Sequence, residues 1–175
     1  MTKASSIVAV FPVHEDAELA IIKLTKAGFP MGDLSIVGKG YHTDEQVLGF
    51  YNMGERVKFW GTRGAFWGGL WGLFFGGLLI TLPAVGPVVV LGYLATTIVA
   101  ALDTAVLFGS LSAVGAALYS IGIPKDTIIE YETAVKANGF LVMVQGSAED
   151  MVRARAIVAP IKPVTLDVHE MKAAA

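Results

Sequence analysis

The sequence predicts an α+β fold: a ferredoxin-like βαββαβ domain interrupted by a long apolar glycine-zipper helical hairpin. Three observations predict it. Strand–helix–strand patterns occupy both ends of the chain. Between them, from Gly64 to Pro124, stands one charged residue, Asp103. Within that stretch glycine recurs at Gly64, Gly68, Gly72 and Gly76, the spacing that lets membrane helices touch backbone to backbone. The predicted units are 1–60 (first half of the domain plus a lead-in), 61–123 (the hairpin) and 124–175 (a linking helix and the second half).

Ser6 to Phe11 reads as a strand, closed by Pro12. Ala17, Ala20, Ile21, Leu24 and Ala27 then follow i, i+3, i+4 spacing, with Glu15, Asp16 and Glu18 early and Lys23 and Lys26 late, as a helix dipole favours. Gly28 and Pro30 stop this helix, and Leu34 to Val37 is a second strand. The C-terminal part repeats the order. Phe140 to Val144 is a strand, Ser147 and Asp150 resemble a capping box opening a helix, Pro160 ends it, and Val164 to Val168 is the last strand. The nearly continuous apolar runs at Ile7 to Phe11 and Phe140 to Val144 suit central strands. Alternation of Val164, Leu166 and Val168 with Thr165, Asp167 and His169 suits an edge. This topology puts the helices on one face of the sheet, the second strand at an edge, His14 and His42 at the end from which the insertion leaves, and His169 at the far end.

Residues 124–138 read as an amphipathic linking helix with Ile128, Ile129, Tyr131 and Val135 apolar, Pro124 at its start and Gly139 past its end. Val47 to Tyr51 reads as a short added β segment.

Arg63 to Leu82, as a helix, spans roughly 30 Å, the thickness of a bilayer's hydrocarbon core. Residues 83–87, with two prolines, are a turn. Residues 88–121 form a second helical pattern, roughly 50 Å if straight, with breaks expected near Asp103 or Gly109, so two or three helices fit. Its small residues recur at Thr97, Ala101, Ala105, Gly109, Ala113 and Ala117. With the four glycines they are the predicted helix-packing positions. Trp67, Trp71, Phe74 and Leu78 form a separate large face. Arg56, Lys58 and Arg63 before the insertion and Lys125 after it keep both termini in the cytoplasm under the positive-inside rule, with Trp60 and Tyr119 at the cytoplasmic interface.

A hydrophobic content of 54% with 16% charged residues and a mean hydropathy of +0.63 is too apolar for an ordinary soluble domain. A net charge of -2 gives no reason to expect nucleic acid. The chain has no cysteine, which excludes disulfides and thiolate metal sites. The first twenty residues lack a signal peptide's apolar core.

Asp103 is the candidate intramembrane polar site, since a carboxylate at membrane depth marks an ion path or a buried partner; a helix cap at Thr104 is the plainer alternative. Gly38-Lys39-Gly40 lacks the third glycine and the following helix of a phosphate loop. His14 with Glu15 and Asp16, and His42 with Asp44 and Glu45, have no established ligand spacing, so no metal is assigned. No nucleophile elbow, Walker or dinucleotide motif occurs, and neither an enzyme nor a cofactor is expected.

The chain resembles a bacterial stress-associated family of unknown function in which a small α/β domain holds a glycine-zipper hairpin. The residues carrying the likeness are the Gly64/Gly68/Gly72/Gly76 run, the Pro83 to Pro87 turn, Gly122-Ile123-Pro124 with Glu130-Tyr131-Glu132, and Asn138-Gly139 before Leu141-Val142-Met143-Val144. The resemblance implies stress or membrane association without a defined substrate.

The expected function is therefore a non-enzymatic structural protein of the cytoplasmic membrane whose partners are copies of itself and the bilayer. The alternatives are a soluble cytoplasmic cage, tube or scaffold with a shared apolar interior for lipophilic cargo, and a small ion or solute conduit using Asp103.

Overall fold

The computed structural model describes residues 5–39, 77–82, 86–98 and 113–171. The chain is α+β, built on an antiparallel sheet with helices on both faces. Its strands are β1 (Ser5–Phe11), β2 (Leu34–Lys39), β3 (Gly77–Leu82), β4 (Gly86–Gly92), β5 (Phe140–Gly146) and β6 (Thr165–Glu170). Its helices are α1 (His14–Lys26), α2 (Ala113–Ser120), α3 (Lys125–Lys136) and α4 (Ala148–Val158), with a further helical run over residues 93–98. The sheet order is β3-β4-β2-β5-β1-β6, every neighbouring pair antiparallel.

β1 is buried along its whole length, and it can be so only if both faces of the sheet are covered. Its side chains alternate accordingly. Ile7, Ala9 and Phe11 join a cluster with Ala17, Ile21 and Leu24 of α1 and Met151, Ala154 and Val158 of α4. Val8 and Val10 join the opposite cluster with Leu94 and Ile98 of the 93–98 run, Ala117 and Leu118 of α2, and Ile128, Tyr131 and Val135 of α3. Each fully buried Leu or Ile contributes about 1.5–3 kcal/mol, so each face carries its own core.

Local signals set the helix ends. Ser147 Oγ accepts from Asp150 N at 3.1 Å and Asp150 Oδ2 accepts from Ser147 N at 3.1 Å, a complete capping box for α4. Ser147 Oγ also donates to Asp150 Oδ2 at 2.7 Å, and this bond, followed by the one from Ser147 N, holds the Asp150 carboxyl below its ordinary value. Arg153 of the same helix donates to Ala27 O at 3.0 Å and lies 5.0 Å over the Phe29 ring, fastening α4 to the end of α1. Ser35 Oγ on β2 accepts from Leu94 N at 3.0 Å, satisfying one of the free amides that open the 93–98 run.

Several expectations are corrected. Helices cover both faces of the sheet, not one. β2 is interior rather than an edge, because β4 pairs with it from Ser35↔Gly92 to Lys39↔Val88. The helical hairpin expected over 61–123 is replaced, wherever that segment is described, by a β-hairpin and short helices. Residues 77–82 pair with 86–92 from Gly77↔Leu91 to Leu82↔Gly86, so Gly86 and Pro87 of the expected turn belong to a strand, while residues 83–85 lie outside the described residues. Apolar length alone suits either a buried helix or a buried strand, and the β-branched run Val88-Val89-Val90 favours the strand. Among the described residues no helix is long and apolar enough to cross a membrane. The transmembrane and glycine-zipper readings are therefore set aside. Gly64, Gly68, Gly72, Gly76, Ala101, Ala105, Gly109 and Asp103 lie outside the described residues, as do Arg56, Lys58, Trp60 and Arg63. Of the other packing positions, Ala113 opens α2 and Ala117 is fully buried in the α2–α3 side of the core, packing within this chain.

Candidate functional site

A row of polar side chains crosses one end of the α3-covered face of the sheet. Register places Gln145 of β5 opposite Ser6 of β1, and Ser6 opposite His169 of β6. Gln145 Nε2 extends the row by donating to Asp33 Oδ1 at 3.3 Å. Asp167, two residues before His169, lies on the same face by strand alternation.

Tyr131 descends onto this row from α3. Its position is set by the helical period, since Ile128, Tyr131 and Val135 share the buried stripe of the helix. The side chain is 1% exposed, and a phenol buried that deeply needs a partner for its hydroxyl. It finds two. Tyr131 Oη donates to Asp167 Oδ2 at 2.8 Å and lies 2.7 Å from His169 Nε2. A phenol has one proton, and Asp167 receives it. His169 Nε2 must then carry its own proton and donate to Tyr131 Oη, which leaves Nδ1 bare in the neutral ring. The Tyr131 and His169 rings meet edge to face with centroids 6.1 Å apart.

The electrostatics follow from burial. Burial first, then the hydrogen bond to Asp167 and the charges of Asp167 and Glu130, push the Tyr131 hydroxyl far above the ordinary phenol range. Burial also pulls the His169 imidazole below its ordinary value, with the Asp167 charge acting in the opposite sense. Tyr131 therefore remains a neutral phenol, and His169 favours its neutral form.

Ser6 is the unusual member. Its side chain is fully buried, and Oγ has no hydrogen-bond partner among the described residues. Ser6, His169 and Asp167 are the residue types of a hydrolytic triad, but the geometry is not that of one. His169 Nε2 is committed to Tyr131, and a serine with no solvent exposure meets no substrate. The arrangement ties α3 to the last strand and supplies no activated nucleophile.

The other candidate residues are dispersed. His14 opens α1 at the opposite end of β1, 3.3 Å from Glu15 and edge-on to Phe140 at 6.3 Å. His42, Asp44 and Glu45 lie outside the described residues. No group of three His, Asp or Glu side chains that could hold a metal occurs among the described residues. Tyr119 lies in the last turn of α2 at 40% exposure, and Lys125 begins α3 in solvent. Sequence reasoning treated Tyr131 as one more apolar helix position and His169 as an edge-strand polar residue. The signal that could have joined them was a polar-tipped aromatic at a core position together with polar alternation at Thr165, Asp167 and His169.

No family model, curated protein or solved structure matches the chain.

Proposed function

We propose that this is a non-enzymatic structural protein that associates with copies of itself through the ends of its sheet. The unit at its centre is read as ferredoxin-like: β6-β1-β5-β2 with α1 and α4 on one face, extended by β4 and β3.

The observation that carries the reading is the composition of the terminal strand. β3, with the sequence Gly-Leu-Leu-Ile-Thr-Leu, ends the sheet, and no described strand pairs with its outer side. Sheets ordinarily protect such an edge with lysine, proline or an inward charge, and this one has none. The residues before it, from Gly64 onward, are uncharged as well. An apolar edge whose outer backbone groups no described strand pairs is a template for another chain. The polar row supports the non-enzymatic part, because its one phenol is neutral and its one serine is sealed.

The test is sedimentation of the full chain in detergent-free buffer. A particle of several chains is expected, and Leu79→Lys, which places a charge on the terminal strand, shrinks it. A single chain dispersed across the accessible concentration range rejects the reading.

A further inference from the structure

We infer that β6, at the other end of the sheet, pairs antiparallel with β6 of a second copy about a two-fold axis through Val168, joining two sheets into one. This rests on the reading of the protein as self-associating and names one of its surfaces.

β6 closes the sheet opposite β3, and among the described residues only β1 pairs with it. It lacks the burial of an interior strand. Val168 is 47% exposed, whereas Ile7 directly opposite on β1 is fully buried.

The register follows from three constraints. Facing residues in a continuous antiparallel sheet carry their side chains on the same face. Asp167 and His169 share the Tyr131 face, and Leu166 packs against the α1–α4 core, so successive residues alternate. An axis between two residues would set opposite faces against each other. A symmetric pairing must therefore centre on one residue.

Overlap narrows the choice further. Within Thr165–Glu170, centring on Asp167 pairs 165–169 and centring on Val168 pairs 166–170, while every other centre pairs a shorter stretch. Charge then decides between the two. Centred on Asp167, two carboxylates meet at the axis. Centred on Val168, Asp167 of each copy faces His169 of the other, twice by symmetry, and the two exposed valines cover each other.

The atoms required for the cross-chain contact remain free of the Tyr131 network. Tyr131 engages Asp167 Oδ2 and His169 Nε2, leaving Oδ1 of the acid and Nδ1 of the ring. In the neutral ring Nδ1 is bare and makes no bond to the facing carboxylate, so the choice of centre rests on keeping the two Asp167 carboxylates apart; when His169 is protonated, Nδ1 donates a charge-assisted bond as well.

The absence of cysteine provides a direct test. In Val168→Cys the only thiol of each chain lies on the axis facing its own copy, within disulfide reach for either type of antiparallel pair. Mild oxidation is expected to convert most of the chain to a covalent dimer. Val152→Cys, on α4 at 73% exposure, should stay uncrosslinked under the same conditions. A second variant, Val168→Arg, sets two like charges at the axis and should halve the particle without changing the circular dichroism spectrum. If Val168→Cys gives no more dimer than Val152→Cys while the parent still sediments as several chains, the β6 pairing is wrong and self-association stands. A single-chain parent that does not crosslink removes both.

Discussion

The Tyr131 hydroxyl donates a hydrogen bond to Asp167 Oδ2 at 2.8 Å and sits 2.7 Å from His169 Nε2, so one helix residue closes on two alternate residues of the last strand. Those contacts join parts of the chain separated by 36 and 38 positions. Among the described residues β6 pairs with one strand, β1, and packs through the partly buried Leu166. The network therefore adds a polar attachment of the edge strand to the body of the domain.

Tyr131→Phe keeps the ring and removes both hydrogen bonds. Asp167 and His169 are half-buried and can recover some solvation, so the expected cost is about 1–2 kcal/mol in denaturant unfolding. Amide exchange should accelerate most in residues 165–170. Equal acceleration throughout the sheet would mean that the hydroxyl does not hold β6 in particular.

Two shifts set the pH dependence that this network contributes. The folded state raises the Tyr131 pKa, so its contribution is complete below about pH 10 and is lost as pH rises beyond that, where the unfolded phenol ionises and the folded one does not. It lowers the His169 pKa, so that contribution is complete above about pH 6.5 and falls away under acid, where the unfolded imidazole takes up a proton first. Stability should fall at both extremes. Tyr131→Phe should flatten the alkaline limb, and His169→Gln the limb just below neutrality. A parent-like alkaline limb in Tyr131→Phe would assign the loss to another group.

Ser6→Ala should be neutral to about 1 kcal/mol stabilising, because burying a hydroxyl without a partner costs free energy that alanine avoids. Chemical denaturation decides the sign. A loss above that range would show that Ser6 Oγ has a partner in solution.

Gly139→Ala should destabilise by about 1–3 kcal/mol. A Cβ there would lie 2.7 Å from Ala134 O, a backbone atom held in place because Gly139 N donates to it at 2.8 Å. Neither group can yield without opening the turn between α3 and β5. An unchanged melting temperature would show that this turn relaxes freely.

Much of the terminal architecture was legible because its signals are local. The 3.6-residue spacing at Ala17, Ala20, Ile21 and Leu24, the stop at Gly28, the box at Ser147 and Asp150, and the stripe through Ile128, Tyr131 and Val135 depend only on residues within a turn or two, although Ile129, expected in that stripe, is 51% exposed. Gly28 adopts φ +92°, a backbone conformation that side chains disfavour, which explains why the α1 stop sits where it does. The middle of the chain was misread for an equally physical reason. Gly77–Leu82 and Gly86–Gly92 are apolar enough for a helix, and what makes them strands is pairing, of β4 with β2 and of β3 with β4.

By itself the sequence determined the α+β class, the βαβ pattern at each end and the absence of any thiol chemistry, since composition and periodicity are properties of short stretches. Only the tertiary structure decided that β4 covers β2, that helices enclose both faces, and that Tyr131, Asp167 and His169 share one proton network. Strand partners and buried hydrogen bonds are chosen between segments remote in the chain, where each unpaired amide or hydroxyl must find whichever group the folded core brings to it.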